Sequence, residues 1–239
     1  MRIDKLLANI GFGSRKEVKQ LLKTGAVKVE GEPIKDPKTH VDPDHQHITV
    51  NEEKVEYKEF VYLLMNKPAG YLSATEDEYQ ETVIDLLEME DTVYQPFPVG
   101  RLDKDTTGAI LLTDDGQLSQ FLMHPKNKIE KEYLAVSDKF LDKKTIDKIK
   151  RGIFIGSNQK GKAKIISQEK IKNRVEIKMI LRQGKKNEIR RIFKFLDLKL
   201  FSLKRERIGE ILLGDLPKGS WRELSKKEIK YLQRIRSKS

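Results

Sequence analysis

The sequence predicts an α+β fold: a small N-terminal domain of two helices and short strands, then a larger domain with a mixed, mostly antiparallel sheet flanked by helices. Two observations carry this. Amphipathic helical segments and alternating strand segments interleave without the steady strand–helix–strand rhythm of a doubly wound parallel sheet. Two Ser-x-x-Glu capping boxes, Ser14 to Glu17 and Ser225 to Glu228, open helices near either end of the chain. There is no internal repeat and no low-complexity stretch.

In the first segment, Ile3, Leu6, Leu7 and Ile10 share one face of a helix that ends at Gly11 and Gly13. Ser14 caps a second helix that buries Val18, Leu21 and Leu22 and stops at Gly25. VKV and HITV read as short strands, with turns at Glu30-Gly31 and near Asn51-Glu52. Residues 1–57 are therefore expected to form one domain and residues 58–239 the other, joined by a connector near residues 55–60.

The larger domain opens with VYLLMN, a buried strand, and NKPAG, a loop broken by Pro68 and Gly70. TVIDLLEM (residues 82–89) is predicted as a short helix. GAILLTDDG is a strand ending in a turn, KEYLAVS a strand, and DKKTIDKIKRG a helix. KAKIISQ and NRVEIKMIL alternate as strands do. NEIRRIFKFLD is an amphipathic helix with Ile189, Ile192, Phe193 and Leu196 inward. LKLFSLKRERIGEILLG is strand-rich, and the capping box at Ser225 opens the last helix.

Composition narrows the function. The 239 residues are 36% charged with a formal net charge of +11, and a protein this basic usually meets a polyanion. No cysteine is present, which excludes disulfides, thiolate nucleophiles and cysteine metal sites. No apolar run reaches the roughly 20 residues of a membrane span. The N-terminal MRIDKLLANIGFGSRKE lacks the pattern of a secretory signal, so a soluble cytoplasmic protein is expected. Residues 1–28 hold seven Lys/Arg against two Asp/Glu, and residues 29–57 hold three against eight, so positive charge collects on the first two helices. Residues 182–207 hold ten against three.

The densest polar cluster is Gly100-Arg101-Leu102-Asp103-Lys104-Asp105-Thr106-Thr107-Gly108, just before an apolar strand. A carboxylate here can be a nucleophile, a base, or the side chain of an Asx turn, and from pattern alone the turn is favoured. Asp103 and Asp105 also suggest a glycosidase pair, a weak signal at this spacing. Three other signals are set aside. Gly156 to Ala163 approximates a phosphate loop, but Ala163 stands where Ser or Thr would hold magnesium and a strand follows where a helix should, so a hairpin turn is expected. Asp42, Asp44, His45 and His47 lack a distal ligand set and read as a polar turn. His124 reads as a helix-end residue and Trp221 as core.

RIDKLLANIGFGSRKEVKQLLKTGAVKVEGEPI resembles the S4 RNA-binding domain over about residues 2–50. That resemblance implies an RNA-binding face of Arg2, Lys5, Ser14, Arg15, Lys16 and Lys19. Gly-Arg-Leu-Asp-x-x-Thr-Thr-Gly resembles the catalytic motif of pseudouridine synthases, in the branch with an N-terminal S4 domain that modifies ribosomal RNA. Asn66 to Gly70, Lys131 to Leu134 and Arg182 to Phe193 resemble three further motifs of that family, in its order. The resemblance implies Asp103 as the catalytic aspartate, Tyr133 as the tyrosine against the target base and Arg190 as the basic partner of the aspartate. It also implies Arg101, Lys67, Thr106, Thr107 and Arg191 on the substrate side. The third motif departs from the family at Gln183, usually Glu, and at Asn187, usually basic.

The chemistry so implied isomerises uridine: the C1′–N1 bond breaks, the uracil turns, and C1′ bonds to C5. It needs neither cofactor nor metal. A desolvated carboxylate must stay ionised, which an arginine beside it favours. The target must leave its stack, at a cost of a few kcal/mol. The resemblance favours 16S ribosomal RNA as partner, free or in a pre-ribosomal particle, and a monomer. Two alternatives stand: a 23S-directed synthase, and a non-catalytic RNA-binding assembly factor. The N-terminal domain is expected to add affinity as a tethered second contact.

Overall fold

The computed structural model describes residues 1–237. They form two compact units. Residues 1–61 make the first together with the excursion Glu88–Gln95; residues 62–87 and the chain from Pro96 onward make the second.

In the first unit, α1 (Ile3–Asn9) and α2 (Arg15–Lys23) share a core with β1 (Val27–Val29) and β3 (Ile48–Val50). With β2 (Glu32–Pro33) and β4 (Glu53–Lys54) these strands form an antiparallel sheet in the order β2-β1-β3-β4. Ile3, Leu6, Leu7, Val18 and Leu22 are wholly enclosed. Each such burial contributes about 1.5–3 kcal/mol. The predicted capping box is present: the Ser14 hydroxyl accepts from Glu17 N–H at 3.4 Å, and the Glu17 carboxylate accepts from Ser14 N–H at 2.7 Å. A single turn, α3 (Met89–Thr92), completes the unit.

The second unit is built on a nine-stranded sheet. Its strands are β5 (Tyr62–Lys67), β6 (Phe97–Pro98), β7 (Thr107–Thr113), β8 (Lys131–Ser137), β11 (Lys164–Ile171), β12 (Arg174–Leu181), β13 (Leu200–Ile208), β14 (Ile211–Leu212) and β15 (Trp221–Glu223). The main path runs β11-β12-β8-β13-β7-β5-β15. Only β7 and β13 pair in parallel, so the sheet is mixed and mostly antiparallel, as predicted. A small hairpin, β9 (Ile153–Phe154) with β10 (Lys160–Gly161), lies outside it. Helices α5 (Lys143–Arg151) and α6 (Glu188–Phe195) cover one half of the sheet through Ile149, Ile189, Ile192 and Phe193. Helices α4 (Gly116–Met123) and α7 (Lys226–Arg236) cover the other half through Leu118, Leu122 and Leu232.

The helix predicted over residues 82–89 does not form. Asp85 accepts both the Thr82 N–H and the Thr82 hydroxyl, at 2.7 and 3.0 Å, and Val83 N–H is given to the Leu72 carbonyl. Side-chain bonds of this kind compete with a helical ladder and here they win. The phosphate-loop look-alike is the turn of the β9–β10 hairpin. Among the described residues no group of three or more His, Cys, Asp or Glu could hold a metal, and no helix is long and apolar enough to cross a membrane.

Candidate active site

The Asp103 loop ends where β7 meets β13, with Thr107 opposite Lys204 and Gly108 opposite Arg205. Gly108 has φ +102°, and any side chain there would collide with the Arg205 backbone. Glycine is required twice over, by conformation and by close approach. On the other side of Asp103, Leu102 is tucked into the core and its N–H and carbonyl are both bonded to the Ser73 hydroxyl at 3.0 Å. Thr106 N–H closes the turn onto the Asp103 carbonyl at 2.9 Å. The backbone is thus fixed on both sides, and the Asp103 side chain remains 36% exposed.

Lys67 lies beneath this loop, wholly buried. Its Nζ donates to the carbonyls of Pro68, Lys104 and Thr106 at 2.9, 3.0 and 3.1 Å. Three acceptors match the three N–H groups of an ammonium. Burial, against the opposing pull of the Asp105 and Asp103 carboxylates, brings its pKa down to about 8. Lys67 was expected on the substrate side; the structure makes it a tether for the loop instead, because its charged end is enclosed by backbone.

Arg190 reaches Asp103 from α6, with Nε 3.6 Å from Oδ2. Its Nη2 donates to the Thr106 hydroxyl at 3.2 Å. Thr106, nearly inaccessible, therefore orients the guanidinium rather than meeting substrate. The Asn187 side-chain amide also faces Asp103. An amide oxygen there would repel the carboxylate; with the nitrogen turned toward it, Asn187 donates to both Asp103 oxygens, Oδ2 at 3.1 Å.

Asn187 is held at φ +52° before the first turn of α6. The buried Glu188 carboxylate fixes the approach, accepting from Lys162 N–H (3.0 Å), Lys185 N–H (3.2 Å) and Gln183 Nε2 (2.5 Å). This explains the departure at 183: a glutamate there would oppose the Glu188 carboxylate, whereas Gln183 donates to it.

Arg191, also expected at the substrate, points elsewhere. It donates to the carbonyls of Ile155, Gly156 and Lys186 and to the Gln159 side chain, clamping the β9–β10 turn to α6. Thr107 is half-buried and donates to the Leu203 carbonyl at 3.5 Å, while Arg101 is exposed. Tyr133 is half-buried in β8, and its hydroxyl lies 3.5 Å from Arg205 Nη1. Among the described residues neither Arg101 nor Tyr133 bonds to Asp103. The geometry therefore joins Asp103, Thr106, Asn187 and Arg190 directly.

In the first unit Lys5, Arg15, Lys16 and Lys19 are exposed. Arg2 donates to Asp4 through Nε and Nη2 at 3.0 and 2.7 Å, and the Ser14 hydroxyl is engaged in its cap. Burial raises the Asp4 pKa, but the bond and charge of Arg2 outweigh it and the net shift is downward.

Residues 61–195 match the RNA pseudouridylate synthase family, and residues 1–46 match the S4 domain. The chain belongs to the RNA pseudouridylate synthase family. As a pseudouridine synthase it is an isomerase that acts on RNA. A Bacillus subtilis protein named "Uncharacterized RNA pseudouridine synthase YtzG" is 44% identical over 234 residues, covering 97% of this chain and 98% of its own length. The B. subtilis "Ribosomal large subunit pseudouridine synthase B" is 36% identical, covering 98% and 96%. The Pseudomonas aeruginosa "Ribosomal small subunit pseudouridine synthase A" is 33% identical, covering 96% and 99%. A solved pseudouridylate synthase superposes with a TM-score of 0.65 at 28% identity, covering 97% of this chain and 99% of that one.

Two members of this synthase's site were not readable beforehand. Asn187 breaks the family pattern, and its left-handed backbone has no sequence signal beyond asparagine's tolerance of it. Glu188 reads as an ordinary first-turn acid until its three donors are seen.

Proposed function

We propose that Asp103 is the nucleophile that isomerises a uridine of ribosomal RNA to pseudouridine. The observation that carries this is the Asp103–Arg190 ion pair, braced by Thr106 and Asn187 on an immobilised loop. A carboxylate flanked by a guanidinium and an amide is held in one orientation with its charge paired. A carboxylate oxygen attacks C1′ of the extruded nucleotide, and the C1′–N1 electron pair passes to the uracil. The uracil turns, C5 bonds to C1′ and displaces the carboxylate, and the C5 proton is lost as N1 gains one. Bonds broken and formed balance, with no net redox change. Tyr133 packs on the base, and Arg101 reaches the backbone of the target nucleotide.

Exposed Lys5, Arg15, Lys16 and Lys19 supply phosphate contacts in the first unit. Relatives named for either ribosomal subunit resemble this chain to a similar degree, so the substrate class proposed is ribosomal RNA. The 16S expectation is carried forward as the first arm of the test. The setting proposed is the cytoplasm, with the protein acting as a monomer.

The test has two parts. Asp103→Asn keeps the side chain's shape and removes the nucleophile, so product should vanish while RNA binding persists; normal turnover would refute the assignment. Pseudouridine mapping of 16S and 23S RNA from cells with and without the gene should show one uridine position whose modification depends on it. A missing signal in both RNAs would rule out ribosomal RNA as substrate.

A further inference from the structure

Arg205 lies near the middle of β13, opposite Tyr133 of β8 on one side and Gly108 of β7 on the other. It is 2% exposed. Its Nε donates to the Ala109 carbonyl at 2.6 Å, its Nη1 stands 3.5 Å from the Tyr133 hydroxyl oxygen, and its Nη2 is buried without a hydrogen-bond partner. The nearby carboxylates are paired with other cations: Glu130 and Glu132 with Arg207, Glu206 with Lys178, and Asp103 with Arg190. Among the described residues Arg205 is thus a buried cation with no ion pair and one unsatisfied nitrogen. Burying a charge this way is strongly unfavourable, and an unsatisfied buried group calls for a reason. Its field is felt nearby: burial first, and then the Arg205 charge, push the Lys131 pKa down to about 8.

We propose that Arg205 is a positioning residue that fixes the Tyr133 hydroxyl as a hydrogen-bond donor toward the target nucleotide. This rests on the reading that Tyr133 meets that nucleotide. A guanidinium only donates, whereas a phenol both accepts and donates. When Nη1 points at the hydroxyl oxygen, that oxygen is the acceptor, and its own hydrogen must be directed away from Arg205. The separation of 3.5 Å is the long end of the range, and such contacts shorten when substrate closes a site. The fixed positive charge also polarises the O–H bond and strengthens what it donates. During the reaction the C1′–N1 pair moves onto the uracil and spreads over its carbonyl oxygens. A donor aimed there stabilises that charge without giving up its proton. The Nε bond to Ala109 ties the same guanidinium to the strand leaving the Asp103 loop, so one side chain sets Tyr133 against Asp103.

The test is a mutant cycle in the full chain: Arg205→Lys, Tyr133→Phe and the double variant, with Asp103→Asn beside them. Activity is read as tritium release from 5-tritiated-uridine ribosomal RNA isolated from cells lacking the gene. Lysine keeps the charge and a donor for Ala109 but is too short to reach the hydroxyl. Each single variant should lower kcat about 100-fold with KM little changed, and the double should fall no further than Tyr133→Phe alone. Losses that multiply in the double variant, wild-type turnover by Arg205→Lys, or a change confined to KM would overturn the proposal. Arg205→Gln runs through the same cycle as a second probe with the charge removed, and multiplying losses there overturn it equally. If Asp103→Asn turns over normally, the underlying active-site reading fails; if only Tyr133→Phe does, the hydroxyl has no such role and the proposal falls, while the ring still packs on the base. If both are impaired and the cycle multiplies, only the role of Arg205 falls.

Discussion

At the scale of single residues, the site depends on how few partners Asp103 has and how firmly each is held. Arg190 pairs with the carboxylate and is itself oriented by the buried Thr106. Arg190→Met should therefore lower kcat by about 10²–10³-fold, read in single-turnover assays, because it removes a charge aligned before the reaction begins. Thr106→Val should cost less, since the ion pair survives with a looser guanidinium. Arg191→Ala should behave differently: its donors hold the β9–β10 turn, so the melting temperature should fall while kcat stays near normal. The Asp103–Arg190 pairing was readable because the motif resemblance set a basic residue against the aspartate, and the two side chains do meet. The reassignment of Lys67 and Arg191 was not, because a cation on a carbonyl cage and a cation facing phosphate are spelled alike. Only burial separates them.

At the scale of elements, local chemistry decided what periodicity left open. Both Ser-x-x-Glu boxes form because the reciprocal bonds lie within three residues of each other. The helix expected at residues 82–89 had equally good periodicity and lost to the Asp85 bonds to Thr82. At α7 the bidentate Arg222 pair, against the opposing effect of burial, holds Glu228 down to about 2 from an ordinary 4.5. A depressed carboxylate contributes stability that is present above pH 4.5 and is lost as pH falls toward 2. Glu228→Gln should therefore be less stable than wild type at neutral pH by about 1–3 kcal/mol, and the gap should close at the acid end. Denaturant melts across that window check it. Gly108→Ala should destabilise by about 3 kcal/mol, since the β7–β13 contact has no room for a methyl group.

At the scale of the molecule, the charge of +11 is unevenly distributed. It gathers in residues 1–28 and 182–207, so both units carry cationic segments along an otherwise balanced chain. Phosphate contacts release counterions and make affinity fall with salt. The double variant Lys16→Ala, Lys19→Ala should weaken RNA binding across sequences and flatten the salt dependence by about two units of slope, with kcat unchanged. An unaltered slope would remove those lysines from the RNA-binding face. The mixed, mostly antiparallel sheet was readable from interleaved periodicity; that Glu88–Gln95 belongs with the first unit was not. The strand order was not, because the β7–β13 parallel pairing joins segments about a hundred residues apart and leaves no local trace.

The ammonium beneath the catalytic loop has a genetic consequence. Lys67 grips carbonyl oxygens, which every amino acid supplies in the same form. Exposed position 104 should therefore accept broad substitution in a saturation library. Position 67 should accept almost none, since shortening it would take the ammonium from the Pro68 and Thr106 carbonyls and leave the Lys104 carbonyl with the Gly70 N–H alone.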